Sequence, residues 1–133
     1  MAGLLTHLII AMVGFSVFAV GLKSWKYGAA FVLGHLIPDL ISFGVTGIKQ
    51  GSANPGVIMT NPLFSPLALI SHSPVTWIIF GMVFFAIVLF LHNGKKISRA
   101  TFKIWLVVII SFLTGLVVHL IIDLKIIETS YWI

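Results

Sequence analysis

The chain has 133 residues, 59% of them hydrophobic and 8% charged, with a mean hydropathy of +1.17. No soluble domain of this size hides so much apolar surface, so an integral membrane protein is the only class that fits. The net charge of +5 does not point to nucleic acid, because the basic residues lie between apolar runs, and the absence of cysteine excludes disulfides, thiolate ligands and thiol nucleophiles.

At ~20 residues per crossing, the length allows about four spanning helices in a single transmembrane domain, residues 1–133. The first apolar run, 4–22, has no basic region or small-residue cleavage site ahead of it and reads as a retained helix, with Gly14, Ser16 and Gly21 as close-packing positions. Lys23, Trp25, Lys26 and Tyr27 form a basic, aromatic interfacial turn. The second helix, 28–48, contains Pro38, whose ring frees the carbonyl of Gly34 and predicts a kink. Residues 49–74 hold Gly51, Pro55, Gly56, Pro62, Pro66 and Pro74 and form a long loop. Its apolar middle, 62–70, is too short to span and suits the interface. The third helix, 75–91, and the fourth, 101–127, are joined by a basic connection with Lys95, Lys96, Arg99 and Lys103, and Tyr131 and Trp132 read as an interfacial anchor. The fold class is therefore all-α, with four transmembrane helices. The positive-inside rule puts both basic turns in the cytoplasm and the termini and long loop outside the cell membrane.

One phrase occurs twice. His35-Leu36-Ile37-Pro38-Asp39-Leu40 lies in the second helix and His119-Leu120-Ile121-Ile122-Asp123-Leu124 in the fourth. Each sets His and Asp on one helix face. Each also puts a carboxylate where insertion costs roughly 2.5–3.5 kcal/mol. These are the only two aspartates in the chain. Each phrase sits on the return stroke of a helical hairpin. His7 and His72 lie near the outer start of the other helix in each pair, so the pattern reads as a duplicated hairpin with its site at the repeat interface. His92 falls at the opposite end.

Imidazole and carboxylate without thiolate suit a zinc-type divalent cation. His7, Asp39, His72, His119 and Asp123 are the candidate ligands. Asp39 or Asp123 serves in turn as orienter or base, and His35 reads as a supporting partner of Asp39. With an open position for water, such a centre hydrolyses a phosphoryl or acyl ester, and a substrate in the bilayer would be a lipid or lipid-linked molecule. Two other readings use the same residues: a proton or divalent-cation pathway, and a non-catalytic scaffold or assembly subunit, open to oligomerisation, held together by internally satisfied His–Asp pairs.

Thr6-His7, Ile37-Pro38-Asp39, the segment from His72 to Thr76 and the His119/Asp123 pair follow one another in an order that resembles the inner-membrane metal-dependent hydrolase family, whose bacterial members include a LexA-regulated membrane protein. The order is also similar to the ligand set of zinc-dependent phospholipase C. The resemblance implies a metal-dependent hydrolase. The chain departs from the family pattern at Ile41 and Ser42, where a second Asp and a His are usual, and at Ser73, Pro74 and Trp77, where Arg, Gly and a second His are usual. That leaves ligands for one ion or for a member without activity.

Overall fold

A computed structural model describes residues 4–126 of the protein, which are mostly helical, with no strand among the described residues. Helix α1 covers Leu4–Gly21, α2 Trp25–Asp39, α3 Val45–Gln50, α4 Pro55–Met59, α5 Phe64–Ser71, α6 Pro74–Asn93 and α7 Arg99–Ile126. A π-helical turn, Leu40–Gly44, joins α2 to α3. The anchor predicted at Tyr131 and Trp132 lies outside the described residues.

Three helices are long and apolar enough to cross a membrane: the continuous run Trp25–Gln50, then Pro74–Asn93 and Arg99–Asp123. Helix α1 is apolar but shorter. The predicted second helix thus extends to both sides of its expected bounds. Pro38 does not break it. The helix absorbs the missing N–H by widening into the π turn, and the Ser42 hydroxyl donates to the Pro38 carbonyl at 3.0 Å. It ends at Gly51, whose φ of +64° is the left-handed conformation that closes a helix at least cost for glycine.

The loop region is not extended. Asn54 caps α4 by accepting the Gly56 N–H at 2.9 Å, with Pro55 in the first turn. Helix α5 then packs Phe64 and Ala68 with Ile58 and Phe43 into a small cluster against the π turn. This cluster places the end of α5, and with it His72, over the C-terminal part of α2.

The centre of the fold is the crossing of α2 and α7. Helix α1 flanks α2, and α6 flanks α7. Gly34 of α2 lies against the Phe112 carbonyl, and Gly115 of α7 lies against the Phe31 carbonyl, so a Cβ at either glycine would overlap backbone. With no hydrophobic drive between helices in lipid, such close backbone approach is what holds them. Of the small residues expected to pack, Gly14 does so, against the Phe31 ring. Gly21 has nothing near it, and Ser16 only bonds back to the Met12 carbonyl. Large apolar side chains such as Val20, Met82 and Phe90 are exposed on the helices, as on a surface that meets lipid.

Candidate metal centre

On α7, Ser111, Gly115, His119 and Asp123 stand four residues apart and form one buried row. The facing row on α2 carries Phe31, His35 and Asp39. Counterparts in the two phrases meet across the crossing: the His35 and His119 rings are 5.3 Å apart, and Asp39 and Asp123 both reach the same histidines. Helix α1 adds His7 from one side, and the end of α5 adds His72 from the other. His7, His35 and His119 are fully buried.

Five of the six predicted site residues converge on one small volume. His72 Nε2 lies 3.4 Å from His119 Nε2, 3.4 Å from Asp123 Oδ2 and 3.6 Å from Asp39 Oδ1. His119 Nε2 lies 3.4 Å from Asp123 Oδ2 and 4.0 Å from Asp39 Oδ1. His7 Nε2 approaches the other oxygens, at 3.2 Å from Asp123 Oδ1 and 3.9 Å from Asp39 Oδ2. Each carboxylate therefore turns one oxygen to His72 and His119 and the other to His7.

His35, the sixth, goes elsewhere. It was expected to support Asp39, four residues on, but its Nε2 faces His7 Nδ1 at 3.2 Å and its Nδ1 faces the Gly115 carbonyl at 3.3 Å. The close approach of Gly115 to α2 brings that carbonyl within reach. His92 stays at the opposite end, stacked on Phe102 with ring centroids 4.5 Å apart.

These distances carry chemical information. Four donors each ~2.0–2.2 Å from one tetrahedral ion stand ~3.3–3.6 Å apart. Four of the five separations given for Asp39, His72, His119 and Asp123 fall in that range, and the fifth exceeds it slightly. These four residues offer donor atoms all within 4.8 Å of one another, and so do His7, His35 and His119. Buried His and Asp groups here can hold a metal ion. Asp39 Oδ1 is buried without a hydrogen-bond partner, so the donor set has capacity to spare.

Charge makes the same demand. Two carboxylates share this low-dielectric volume with His7, His72 and His119. Buried charge of one sign must be met by protons or by a cation. Burial alone would lower the pKa of His72, but the Asp123 and Asp39 carboxylates outweigh burial and raise it to about 9.

No known family, curated protein or solved structure matches the chain. The site is therefore read from its own geometry.

Two supporting contacts had no signal in the sequence. His72 Nδ1 lies 3.1 Å from the Ala68 carbonyl and 3.0 Å from the Ser71 hydroxyl, which leaves Nε2 to face the site. Trp77, one turn into α6, donates its indole N–H to the Ser71 carbonyl at 2.6 Å and packs with Leu116 and Leu120 of α7. The indole thus ties the turn carrying His72 to the central crossing. Trp77→Phe keeps most of the packing but leaves a buried carbonyl unpaired, so thermal unfolding in detergent should show a loss of about 1 kcal/mol. Trp77→Ala should lose several times as much, by adding a cavity.

Proposed function

We propose that this protein is a membrane-embedded, metal-dependent hydrolase of a phosphoester or related ester, with a lipid or lipid-linked molecule as substrate. The observation that carries this reading is the Asp39, His72, His119 and Asp123 cluster, whose separations suit a tetrahedral ion and whose two carboxylates lie among histidines. Histidine and carboxylate donors without sulfur favour zinc among divalent cations. In this reading α1 completes a four-span bundle of two related hairpins. The basic turns face the cytoplasm, and the long loop and the site lie in the outer half of the membrane.

Held by His72, His119 and Asp123, with Asp39 serving as base instead of ligand, a zinc-type cation would keep a fourth position for water and would supply Lewis acidity there. The chain's own residues do the rest. His7, His72 and His119 present ring nitrogens at fixed angles. Asp123, almost wholly buried, reaches three histidines, His7, His72 and His119. Asp39 is the more exposed carboxylate, with its side chain 21% accessible against 4% for Asp123, and it is the group placed to take a proton from an incoming water. His72, at 15%, lines the same opening. Access runs past these two side chains, so a substrate enters beside α5 and the π turn, from the lipid side. The resemblance to inner-membrane metal-dependent hydrolases supports the same reaction class.

The test is elemental analysis of protein purified in mild detergent, followed by hydrolysis assays on bilayer-embedded phosphoesters. About one zinc per chain, and turnover lost on chelation and restored by Zn²⁺, is the expected result. A metal-free protein whose thermal stability does not respond to Zn²⁺ would overturn the reading and favour a scaffold. Cation transport is the second reading, because the buried row on α7 continues inward to Ser111. Beyond Ser111 the helix reads Phe102-Lys103-Ile104-Trp105-Leu106-Val107-Val108-Ile109-Ile110, whose only polar side chain is Lys103 near the helix start, so the row stops within the membrane.

A further inference from the structure

The contact between His7 and Asp123 has two opposite meanings. If His7 carries its proton on Nε2, the 3.2 Å approach to Asp123 Oδ1 is a hydrogen bond that ties α1 to α7. If Nε2 is bare, the same nitrogen is a ligand. Residues outside the ligand cluster decide between the two.

A peptide carbonyl only accepts hydrogen bonds. His35 Nδ1, 3.3 Å from the Gly115 oxygen, is therefore the protonated nitrogen of that ring. A neutral imidazole carries one N–H, so His35 Nε2 is an acceptor. Opposite it, at 3.2 Å, stands His7 Nδ1, which must be the donor. The remaining nitrogen of His7, Nε2, then presents a lone pair to the oxygens of Asp123 and Asp39. A lone pair aimed at a carboxylate is repulsive unless a cation lies between them.

We infer that His35 is a positioning residue that sets the tautomer of His7. The relay runs from the Gly115 carbonyl through His35 to His7 Nδ1, and it leaves His7 Nε2 as a lone pair open to a cation rather than a hydrogen-bond donor to Asp123. His72 is held in the same way with one fewer link, its Nδ1 lying 3.1 Å from the Ala68 carbonyl. Metal-binding histidines generally donate their second N–H to a carbonyl or carboxylate, which fixes both the tautomer and the ring orientation. Here the anchor is a carbonyl exposed by the glycine crossing, and a second histidine spans the distance to it. Complete burial of His7 and His35 keeps water from replacing either link.

The inference rests on the metal-site reading for its purpose but not for its test. Side-chain ¹⁵N NMR of the metal-free full chain in lipid nanodiscs reads the tautomer directly. His7 is expected to be protonated on Nδ1 alone. Protonation on Nε2, or on both nitrogens, overturns the inference, because Asp123 would then receive a donated proton. In His35→Phe the acceptor is gone, and the His7 proton is expected to move to Nε2. In His35→Gln a side-chain oxygen can stand near the lost Nε2 and keep the proton on Nδ1. An unchanged His7 tautomer in His35→Phe overturns the relay. If that variant does not fold, the wild-type spectrum still decides. Titration with Co²⁺ alone gives a second readout: His35→Phe should bind 10- to 100-fold more weakly, with an altered ligand-field spectrum, and His35→Gln should stay close to wild type. Equal loss in both variants counts against the relay. Wild-type protein that takes up no Co²⁺ refutes the metal reading, and the tautomer is still judged by the ¹⁵N spectrum.

Discussion

Asp123→Asn is expected to weaken divalent-metal binding by roughly two to three orders of magnitude while leaving the metal-free protein as stable as wild type or more so. The first effect follows from what the carboxylate touches. Its two oxygens reach three histidines, at 3.2 Å for His7 and 3.4 Å for both His72 and His119. An amide keeps the shape but gives up the charge and one of the two acceptor atoms. Breaking a buried charged contact costs about 3–5 kcal/mol, and each 1.36 kcal/mol is tenfold in binding. The second effect has the opposite sign. Without metal, the wild-type protein must still keep the Asp123 carboxylate desolvated among three histidines, whereas the amide carries no charge to desolvate. A scaffold built on His–Asp bonds predicts the reverse, a variant several kcal/mol less stable under all conditions. Thermal unfolding with and without Zn²⁺, together with metal analysis, separates the two.

Gly34→Ala and Gly115→Ala are expected to cost as much in folding as Asp123→Asn costs in binding. Each added methyl would overlap a backbone carbonyl, Phe112 for Gly34 and Phe31 for Gly115. A side chain can rotate away, but a helix backbone cannot, so α2 and α7 must separate. Overpacking of this kind costs about 1–3 kcal/mol, and these positions belong at the upper end because no soft atom can yield. The movement also reaches the site. His35 and Asp39 lie one and five residues beyond Gly34, and His119 and Asp123 four and eight beyond Gly115, so both halves of the ligand set shift together. Reduced thermal stability and weakened Zn²⁺ binding should appear in the same variants. Gly21→Ala is the control: nothing lies near that position, and no loss is expected. Equal behaviour of Gly21→Ala and Gly34→Ala would mean that the crossing does not depend on glycine.

The converging residues were legible in the sequence because membrane depth is a strict filter. Ionisable groups are costly in apolar helices, so His7, Asp39, His119 and Asp123 stood out, and the alternation of helix direction put them at one level with His72. The partner of His35 was not legible. Spacing of four residues put His35 and Asp39 on one face, but the choice of partner was made by α1 and by a carbonyl near Gly115, both distant in sequence. The π turn also escaped prediction. Pro38 announced a disturbance, and the structure shows it as a local widening into a π turn after Asp39. Trp77 stood out in the sequence only as a position where the resembled family has a second His. Its indole N–H found the Ser71 carbonyl only because α5 folds back over α2. Helix α1 was expected to span and is shorter than the other three.

The site draws on the first helix and the last. His7 and Asp123 touch across 116 residues of chain, and no single hairpin contains all the ligands. During synthesis His7 and Asp39 therefore enter the bilayer well before the residues that complete their surroundings. A nascent chain stopped before α7 carries an unmatched carboxylate in lipid and no enclosure for an ion. Closure waits for α7, so a cation held at the proposed site would report that α1, α2, α5 and α7 have come together.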